Sequence, residues 1–222
     1  NPNITDEEGF TIDLGLRGNF KSIVSYDVGA FALFYNRRIG FVQKGLDDGR
    51  VVSERGNIGD AVMYGVESLF DFNLKKIFKM NNDFSLNYFV NTSVIKSEYT
   101  NSDQVGIEGN EVEFVPDLNL KTGLRFGYKN LMANMQYTYL GSQFTDATNS
   151  IDSNLSGVIG EIPEYDILDL SLSYAYKIFK LETGVNNLLD NAYFTRRATG
   201  YPGPGIIPSA PRNWYVTLEV KL

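Results

Sequence analysis

Two-residue alternation of apolar and polar side chains over long segments is the feature that most constrains the fold of this sequence. In residues 64–74, Tyr64 and Phe70 fall on one side of the alternation, while Glu67 and Asp71 fall on the other. Successive side chains of a β-strand point to opposite faces of its sheet, so this pattern predicts strands with one apolar face. No segment shows the 3.6-residue spacing of an amphipathic helix.

The alternation recurs along most of the chain and predicts about nine strands. They cover residues 10–17, 24–38, 64–74, 84–94, 118–128, 131–139, 168–176, 179–187 and 214–222. Most are roughly 9 to 15 residues long, against about 5 or 6 in soluble sheets and about 9 to 11 in tilted membrane strands. Strand length therefore favours a barrel that crosses a membrane.

The predicted connections are short at one end of the strands and long at the other. The short ones lie around 18–21, 75–82, 129–130 and 177–178, and the long polar ones around 39–61, 99–116, 146–164 and 194–211. Lysines such as Lys129 and Lys177 occupy short connections, whereas acidic residues such as Asp103 and Glu161 occupy long ones. This asymmetry is typical of outer-membrane barrels, as are Tyr and Phe residues at strand ends.

Composition excludes several functional classes. The 222 residues include no histidine and no cysteine, which removes Ser-His-Asp and thiol chemistry, the common zinc ligands and disulfides. The net charge of −7 argues against a nucleic-acid partner. The carboxylate pairs in the acidic loops lack any supporting catalytic residue, so the protein is not expected to be an enzyme. No segment approaches the roughly 20 consecutive apolar residues of a membrane-spanning helix.

The number of strands suggests that the chain is part of a longer protein. If the last strand descends to the short-turn end, counting back through nine strands makes the first descend too, and residues 1–9 then end a further long loop. A single-chain bacterial barrel has an even number of antiparallel strands. Nine strands would leave two unpaired edges, so earlier strands are expected upstream.

Four stretches resemble the C-terminal barrel portion of TonB-dependent outer-membrane receptors, specifically the group similar to ferric-dicitrate receptors. They are NPNITDEEGFTIDLGLRG at 1–18, FYNRRIGFV at 34–42, YGVESLFDF at 64–72 and GVNNLLDNAYFTRRATGYPGPGIIPSAPRNWYVTLEVKL at 184–222. The last is the most specific, with its Asn-Asn-Leu-Leu-Asp turn, Phe-Thr-Arg-Arg loop, Pro/Gly-rich segment and alternating terminal strand.

The resemblance implies an all-β fold in which residues 1–222 form one antiparallel transmembrane β-barrel segment. These would be the last nine strands of a barrel of about 22, with the plug domain and earlier strands upstream. The resemblance also implies active transport of a ferric chelate, ferric citrate or siderophore-like, across the outer membrane of a Gram-negative bacterium. No cofactor is implied. The implied partners are the chelate, the TonB complex through the missing N-terminal region, outer-membrane lipid and lipopolysaccharide, and the rest of the barrel and plug.

Arginines in the loops are the expected ligand contacts, because ferric citrate complexes are anionic. The candidates are Arg196 and Arg197, then Arg37 and Arg38, with Arg55 and Arg212 as weaker ones. Paired arginines at a barrel rim also bind loop carboxylates or lipopolysaccharide phosphates, so that alternative stays open. Arg125 faces inward by alternation and is expected to pair with a lumen carboxylate such as Glu67 or Asp169, or with the plug.

Two other classes of protein remain as alternatives. One is a self-standing small outer-membrane barrel, an adhesin or a pore, which would need an even number of strands. The other is a soluble β-sandwich binding module, whose apolar faces would pack on each other rather than face lipid. A sandwich usually has turns every 8 to 12 residues or so, and it rarely sustains strands of about 11 residues with aromatic ends.

Overall fold

The computed structural model describes residues 3–45, 51–198 and 204–221, and it shows an all-β protein. Nine strands form one antiparallel sheet in the order β1-β2-β3-β4-β5-β6-β7-β8-β11, and β9 and β10 form a separate hairpin. The strands are β1 (Glu8–Phe20), β2 (Val24–Gly45), β3 (Val51–Asn73), β4 (Phe84–Asn101), β5 (Leu118–Tyr128), β6 (Leu131–Leu140), β7 (Tyr165–Tyr176), β8 (Phe179–Asn186), β9 (Phe194–Ala198), β10 (Gly205–Pro208) and β11 (Asn213–Val220). The predicted all-β fold and nine-stranded sheet are confirmed.

One face of the sheet is apolar and uncovered. Leu14 pairs with Ala30, and Ala30 in turn pairs with Val66, so the alternation of each strand continues across its neighbours. Leu14 is 78% exposed and Trp214 is 76% exposed. Such a wide exposed apolar surface is not tolerated in water, and within the described ranges no second sheet covers it. The β-sandwich alternative therefore does not fit.

The ends of the strands define two rims. The short-turn rim consists of residues 21–23, 74–83, 129–130 and 177–178, and it includes the single-turn helix α1 (Leu74–Ile77). The long-loop rim consists of residues 102–117, 141–164 and 187–212. Within the described part of the chain, no helix is long and apolar enough to cross a membrane.

The buried hydrophobic residues lie at the long-loop rim rather than under the sheet. Their cluster comprises Ile58, Ala61, Tyr99, Ile107, Val112 and Ala147. They come from the upper parts of β3 and β4 and from two long loops. The loops therefore form a small core of their own on top of the strands.

The predicted long connection over residues 39–61 is wrong, because β2 continues to Gly45 and β3 begins at Val51. The 22 residues of β2 extend about 70 Å, more than twice the thickness of a bilayer core of about 30 Å. The outer part of this hairpin therefore extends beyond a bilayer core, where no lipid enforces alternation. The last long loop also begins earlier than predicted, and it contains the hairpin of β9 and β10.

Candidate functional site

The β2–β3 hairpin bends at Arg37, where the strands project past the sheet. The pairing of β2 with β3 shifts register next to Arg38. Arg37 has a φ of 55°, its N–H donates to Asp60 Oδ1 at 2.9 Å, and its guanidinium lies 3.0 Å from Glu8 Oε1. Both side chains of the Arg37–Glu8 pair are exposed, so the pair is weak and the guanidinium remains accessible.

Arg38 enters a buried polar cluster with Tyr99 and Glu113. Arg38 Nη1 donates to Glu113 Oε1 and to Tyr99 Oη, each at 2.6 Å, and the Tyr99 hydroxyl donates to Glu113 Oε2 at 2.6 Å. The side chains of Arg38 and Glu113 are 18% and 9% exposed, and Tyr99 is fully buried. Arg38 thus anchors loop 102–117 to the strands.

The pKa shifts in this cluster follow from its burial. Burial raises the pKa of Tyr99, and the Glu113 carboxylate raises it further, so the phenol stays neutral and remains a donor. Burial alone would lower the pKa of Arg38, but Glu113 outweighs that effect and the pKa is raised. Arg38 therefore remains charged at every physiological pH, as the ion pair requires.

Loop 102–117 is also fastened to loop 141–164. The Asn110 side chain donates to Ala147 O at 2.9 Å, and the Asn149 side chain donates to Glu111 O at 2.9 Å. The Phe114 N–H donates to Phe144 O, also at 2.9 Å. Backbone groups of long loops need such partners when they are buried, so the two loops form one ordered body.

Arg197 joins loop 141–164 to the β9–β10 hairpin. Its Nη1 donates to Gly157 O at 2.9 Å, and its Nη2 donates to Glu161 O at 2.7 Å. The guanidinium carbon lies 5.2 Å from the centre of the Phe194 ring. Burial lowers the pKa of Arg197. Its hydrogen bonds go to main-chain carbonyls, so Arg197 fixes the position of two loops.

Arg196 is the exposed neighbour of Arg197 on β9. Strand alternation points the two side chains to opposite faces of the hairpin. Among the described residues, Arg196 has no hydrogen-bond or ion-pair partner, whereas Arg212 is held by Asp190 and by Leu188 O. Arg55 is exposed on β3, opposite Phe41. The structure therefore separates the candidate arginines into fixed ones and accessible ones.

Asn187, which the sequence analysis did not single out, organises the start of the last long loop. It is 2% exposed and has a φ of 51°. Its N–H donates to Asp169 Oδ1 at 2.9 Å, its side-chain amide donates to Asn191 O at 2.9 Å, and its side-chain oxygen accepts from Asn191 N at 3.1 Å. The Asn-Asn-Leu-Leu-Asp motif is therefore a turn that supports the loop, and asparagine suits its left-handed backbone.

The face opposite the apolar one carries a polar network. Arg125 forms an ion pair with Asp71, and Asn87 donates to Asp71 Oδ1 at 2.8 Å. Arg125 thus pairs with an inward carboxylate as predicted, but the named partners Glu67 and Asp169 are wrong. The pairing of β4 and β5 sets Arg125 opposite Asn87, and that of β3 and β4 sets Asp71 opposite Phe89, two residues further along β4, so Asp71 is a diagonal neighbour of Arg125. Within the described ranges, no group of three or more acidic side chains is placed to hold a metal ion.

The strands form a single meandering sheet with one apolar and one polar face. Short turns lie at one rim and folded loops at the other. This is the architecture of the wall of a membrane β-barrel. Residues 1–188 match the family described as TonB dependent receptor-like, beta-barrel, and the chain belongs to this family.

Solved structures share this fold. The unliganded ferric citrate transporter FecA has a TM-score of 0.77 and 21% identity, with 96% of this chain and 31% of that chain covered. The ferric yersiniabactin uptake receptor FyuA from Yersinia pestis has a TM-score of 0.70 and 20% identity, with 96% of this chain and 30% of that chain covered. The copper transporter OprC has a TM-score of 0.71 and 15% identity, with 98% of this chain and 32% of that chain covered. The chain thus spans slightly under a third of the length of these proteins.

Proposed function

We propose that this chain is the C-terminal barrel part of a TonB-dependent receptor that takes up a ferric chelate across the outer membrane of a Gram-negative bacterium. The supporting observation is the nine-stranded wall, which matches the ferric citrate transporter over 96% of this chain. In this proposal the preceding sequence supplies the plug, the contact with the TonB complex and the other strands of a barrel of about 22. Lipopolysaccharide surrounds the long-loop rim.

The charges of the loops restrict where an anionic chelate would bind. Loops 102–117 and 141–164 contain nine acidic residues and no basic residue, so they repel anions. Loop 187–212 contains three arginines and one acidic residue, Asp190. We therefore place the main anion-binding surface of this chain on loop 187–212, with ferric citrate or a siderophore-like chelate as its ligand.

The four leading candidate arginines have distinct roles in this proposal. Arg196 contacts the ligand directly, because it is exposed and unpaired among the described residues. Arg197 positions Arg196 by holding β9 against loop 141–164. Arg37 is a second contact, since its pair with Glu8 is exposed and easily exchanged. Arg38 supports the neighbouring loop through Glu113.

The experiment is uptake of radioactive iron by iron-limited cells whose only receptor is the full-length protein. Ferric citrate is supplied first, followed by hydroxamate-type and catecholate-type chelates. We expect Arg196→Gln to weaken the apparent affinity about 10- to 100-fold, because one or two charge-assisted hydrogen bonds to the anion are lost.

The matched control is Lys75→Gln, which removes one positive charge from the short-turn rim and leaves the loops intact. It is expected to transport as the wild type does. Wild-type affinity in Arg196→Gln would contradict the proposed contact. Failure of the wild-type receptor to take up any of the ferric chelates would contradict the proposed function itself.

A further inference from the structure

The short-turn rim repeats one local motif at each of its four turns. An aromatic residue is followed directly by a lysine with a left-handed backbone, at φ values of 50° to 53°. The pairs are Phe20-Lys21, Phe78-Lys79, Tyr128-Lys129 and Tyr176-Lys177. Glycine, asparagine and aspartate are the residues that tolerate this backbone conformation best. Turn geometry therefore does not explain the lysines, and their charge needs another reason.

The ammonium groups of three of these lysines lie against the preceding aromatic ring, at the border of the apolar face. Lys129 Nζ lies 5.2 Å from the centre of the Tyr128 ring, and Lys177 Nζ lies 5.4 Å from that of Tyr176. Tyr128 belongs to the same alternating set as Leu124 and Phe126, which is the apolar set. The charges are thus presented toward the side of the sheet that faces lipid.

The short-turn rim is strongly basic in an acidic protein. Its four turns contain six lysines and a single acidic residue, Asp83, whereas the whole chain has a net charge of −7. Most other charges of the chain lie on the polar wall or in the loops. A surface of this kind attracts anions, and its position on the apolar side favours anions that carry hydrocarbon.

A groove opens on the apolar face across β5, β6, β7 and β8, beginning about three residues from this rim. It has a volume of about 460 Å³, and its apolar lining includes Leu124, Phe126, Ala133, Met135, Leu172 and Val185. The short side chain of Ala133 lies between longer neighbours and gives the groove its depth. Phe126 and Leu124 are three and five residues from Lys129, which is about 10 to 17 Å along the strand.

The two turns that contain Lys129 and Lys177, at the end of the groove, are close enough for both lysines to contact one anionic group. The Ala175 N–H donates to Asn130 O at 3.0 Å, so the turn of β5 and β6 contacts the end of β7. The turn of β7 and β8 is therefore about two strand spacings, or about 10 Å, from the turn of β5 and β6. Flexible lysine side chains can span this distance and hold one phosphate between them.

We propose that Lys129, Lys177 and the groove beside them form a binding site for an anionic glycerophospholipid of the leaflet that surrounds the short-turn rim. The two ammonium groups bind the phosphate of the headgroup, and one acyl chain occupies the groove. This inference rests on the proposed placement of the barrel in the outer membrane. The apolar groove favours a lipid over an acidic protein, because only the lipid has an acyl chain to fill it.

Native mass spectrometry of the full-length receptor in detergent tests the site, with phosphatidylglycerol and phosphatidylcholine of equal chain length as the added lipids. We expect selective binding of phosphatidylglycerol to the wild type. The double variant Lys129→Gln/Lys177→Gln should bind it about 30-fold more weakly, the effect expected for two lysines near an anionic lipid. The matched control is Lys75→Gln/Lys76→Gln on the same rim, which should bind normally.

A second variant separates a lipid site from simple charge attraction. Ala133→Phe fills the groove and keeps every lysine, and an apolar residue on this face is compatible with folding. It should lose phosphatidylglycerol as well. Equal binding of both lipids by the wild type, unchanged binding by the double variant, or unchanged binding by Ala133→Phe would each overturn the proposal. If inorganic phosphate or an acidic peptide competed as well as the lipid, that result would overturn it too.

Iron uptake by the same wild-type protein distinguishes failure of this site from failure of the proposed function. Lipid binding without chelate uptake would contradict the transport function and leave the lipid site intact. Chelate uptake without selective lipid binding would overturn the lipid site alone.

Discussion

The two rims of this sheet are built by different means. At three turns of the short-turn rim, the lysine lies against the aromatic residue directly before it in sequence. At the long-loop rim, residues far apart in sequence meet, as when Arg38 contacts Glu113 across 75 positions. Charge at the short-turn rim is therefore exposed and available, whereas much of the charge at the long-loop rim holds loops in place.

The largest effect is expected at the buried cluster of the long-loop rim. Glu113→Ala leaves Arg38 buried without its counter-charge, and breaking such a pair costs about 3 to 5 kcal/mol. Hydrogen exchange of the full-length receptor should show loop 102–117 opening more easily by that amount.

Arg17→Ala is the matched control for this prediction. It removes one partner of the Arg17–Asp27 pair, whose side chains are 81% and 42% exposed. An exposed pair is worth about 0 to 1 kcal/mol, so little change is expected. Equal effects of Glu113→Ala and Arg17→Ala would contradict the difference between fixed and exposed charge.

An intermediate effect is expected at Asn187. Asn187→Ala removes a buried amide and leaves its partners unsatisfied, at a cost of about 1 to 3 kcal/mol. Amide hydrogens of loop 187–212 should exchange faster by the factor that corresponds to this loss of free energy. Asn186→Ala is the control, because the side-chain amide of Asn186 contacts only the exposed Asn213 side chain among the described residues. This variant should change the amide hydrogen exchange of loop 187–212 by less.

The smallest effect, and one of opposite sign, is expected at the short-turn rim. Lys129→Gly relieves a left-handed backbone, which should raise the free energy of unfolding of the receptor in urea by about 1 kcal/mol. It should at the same time weaken binding of phosphatidylglycerol. Lys121→Gly, inside β5, should instead lower stability by about 0.5 to 1 kcal/mol. Destabilisation by Lys129→Gly would show that its side chain supports the turn.

The strands of the barrel wall could be predicted from sequence because lipid on one side and a polar lumen on the other enforce alternation. The outer parts of β2 and β3 could not, because no lipid enforces alternation beyond the membrane and five glycines interrupt residues 39–61. Arg125 was predictable as an inward charge. Its partner Asp71 depends on the register of three strands, which no local pattern encodes.

The candidate site was predictable only as a set of residue types. Adjacent arginines look alike in sequence, yet Arg197 is held by two main-chain carbonyls while its neighbour Arg196 is exposed. That distinction depends on how loop 141–164 folds against β9. The repeated aromatic-lysine pairs were visible in sequence, but their common backbone conformation and the groove beside two of them required the fold.

The central claim is that the two rims lie on opposite sides of an outer membrane, with the long loops outside the cell. The 222 residues contain no cysteine, so single cysteines can be introduced into this part of the full-length receptor, with any cysteine of the preceding sequence first replaced by serine, and labelled with a membrane-impermeant maleimide. Leu155→Cys, at a fully exposed position of loop 141–164, should be labelled on intact cells. Lys177→Cys should be labelled only after the outer membrane is permeabilised. Labelling of Lys177→Cys on intact cells, with Leu155→Cys protected, would contradict the account.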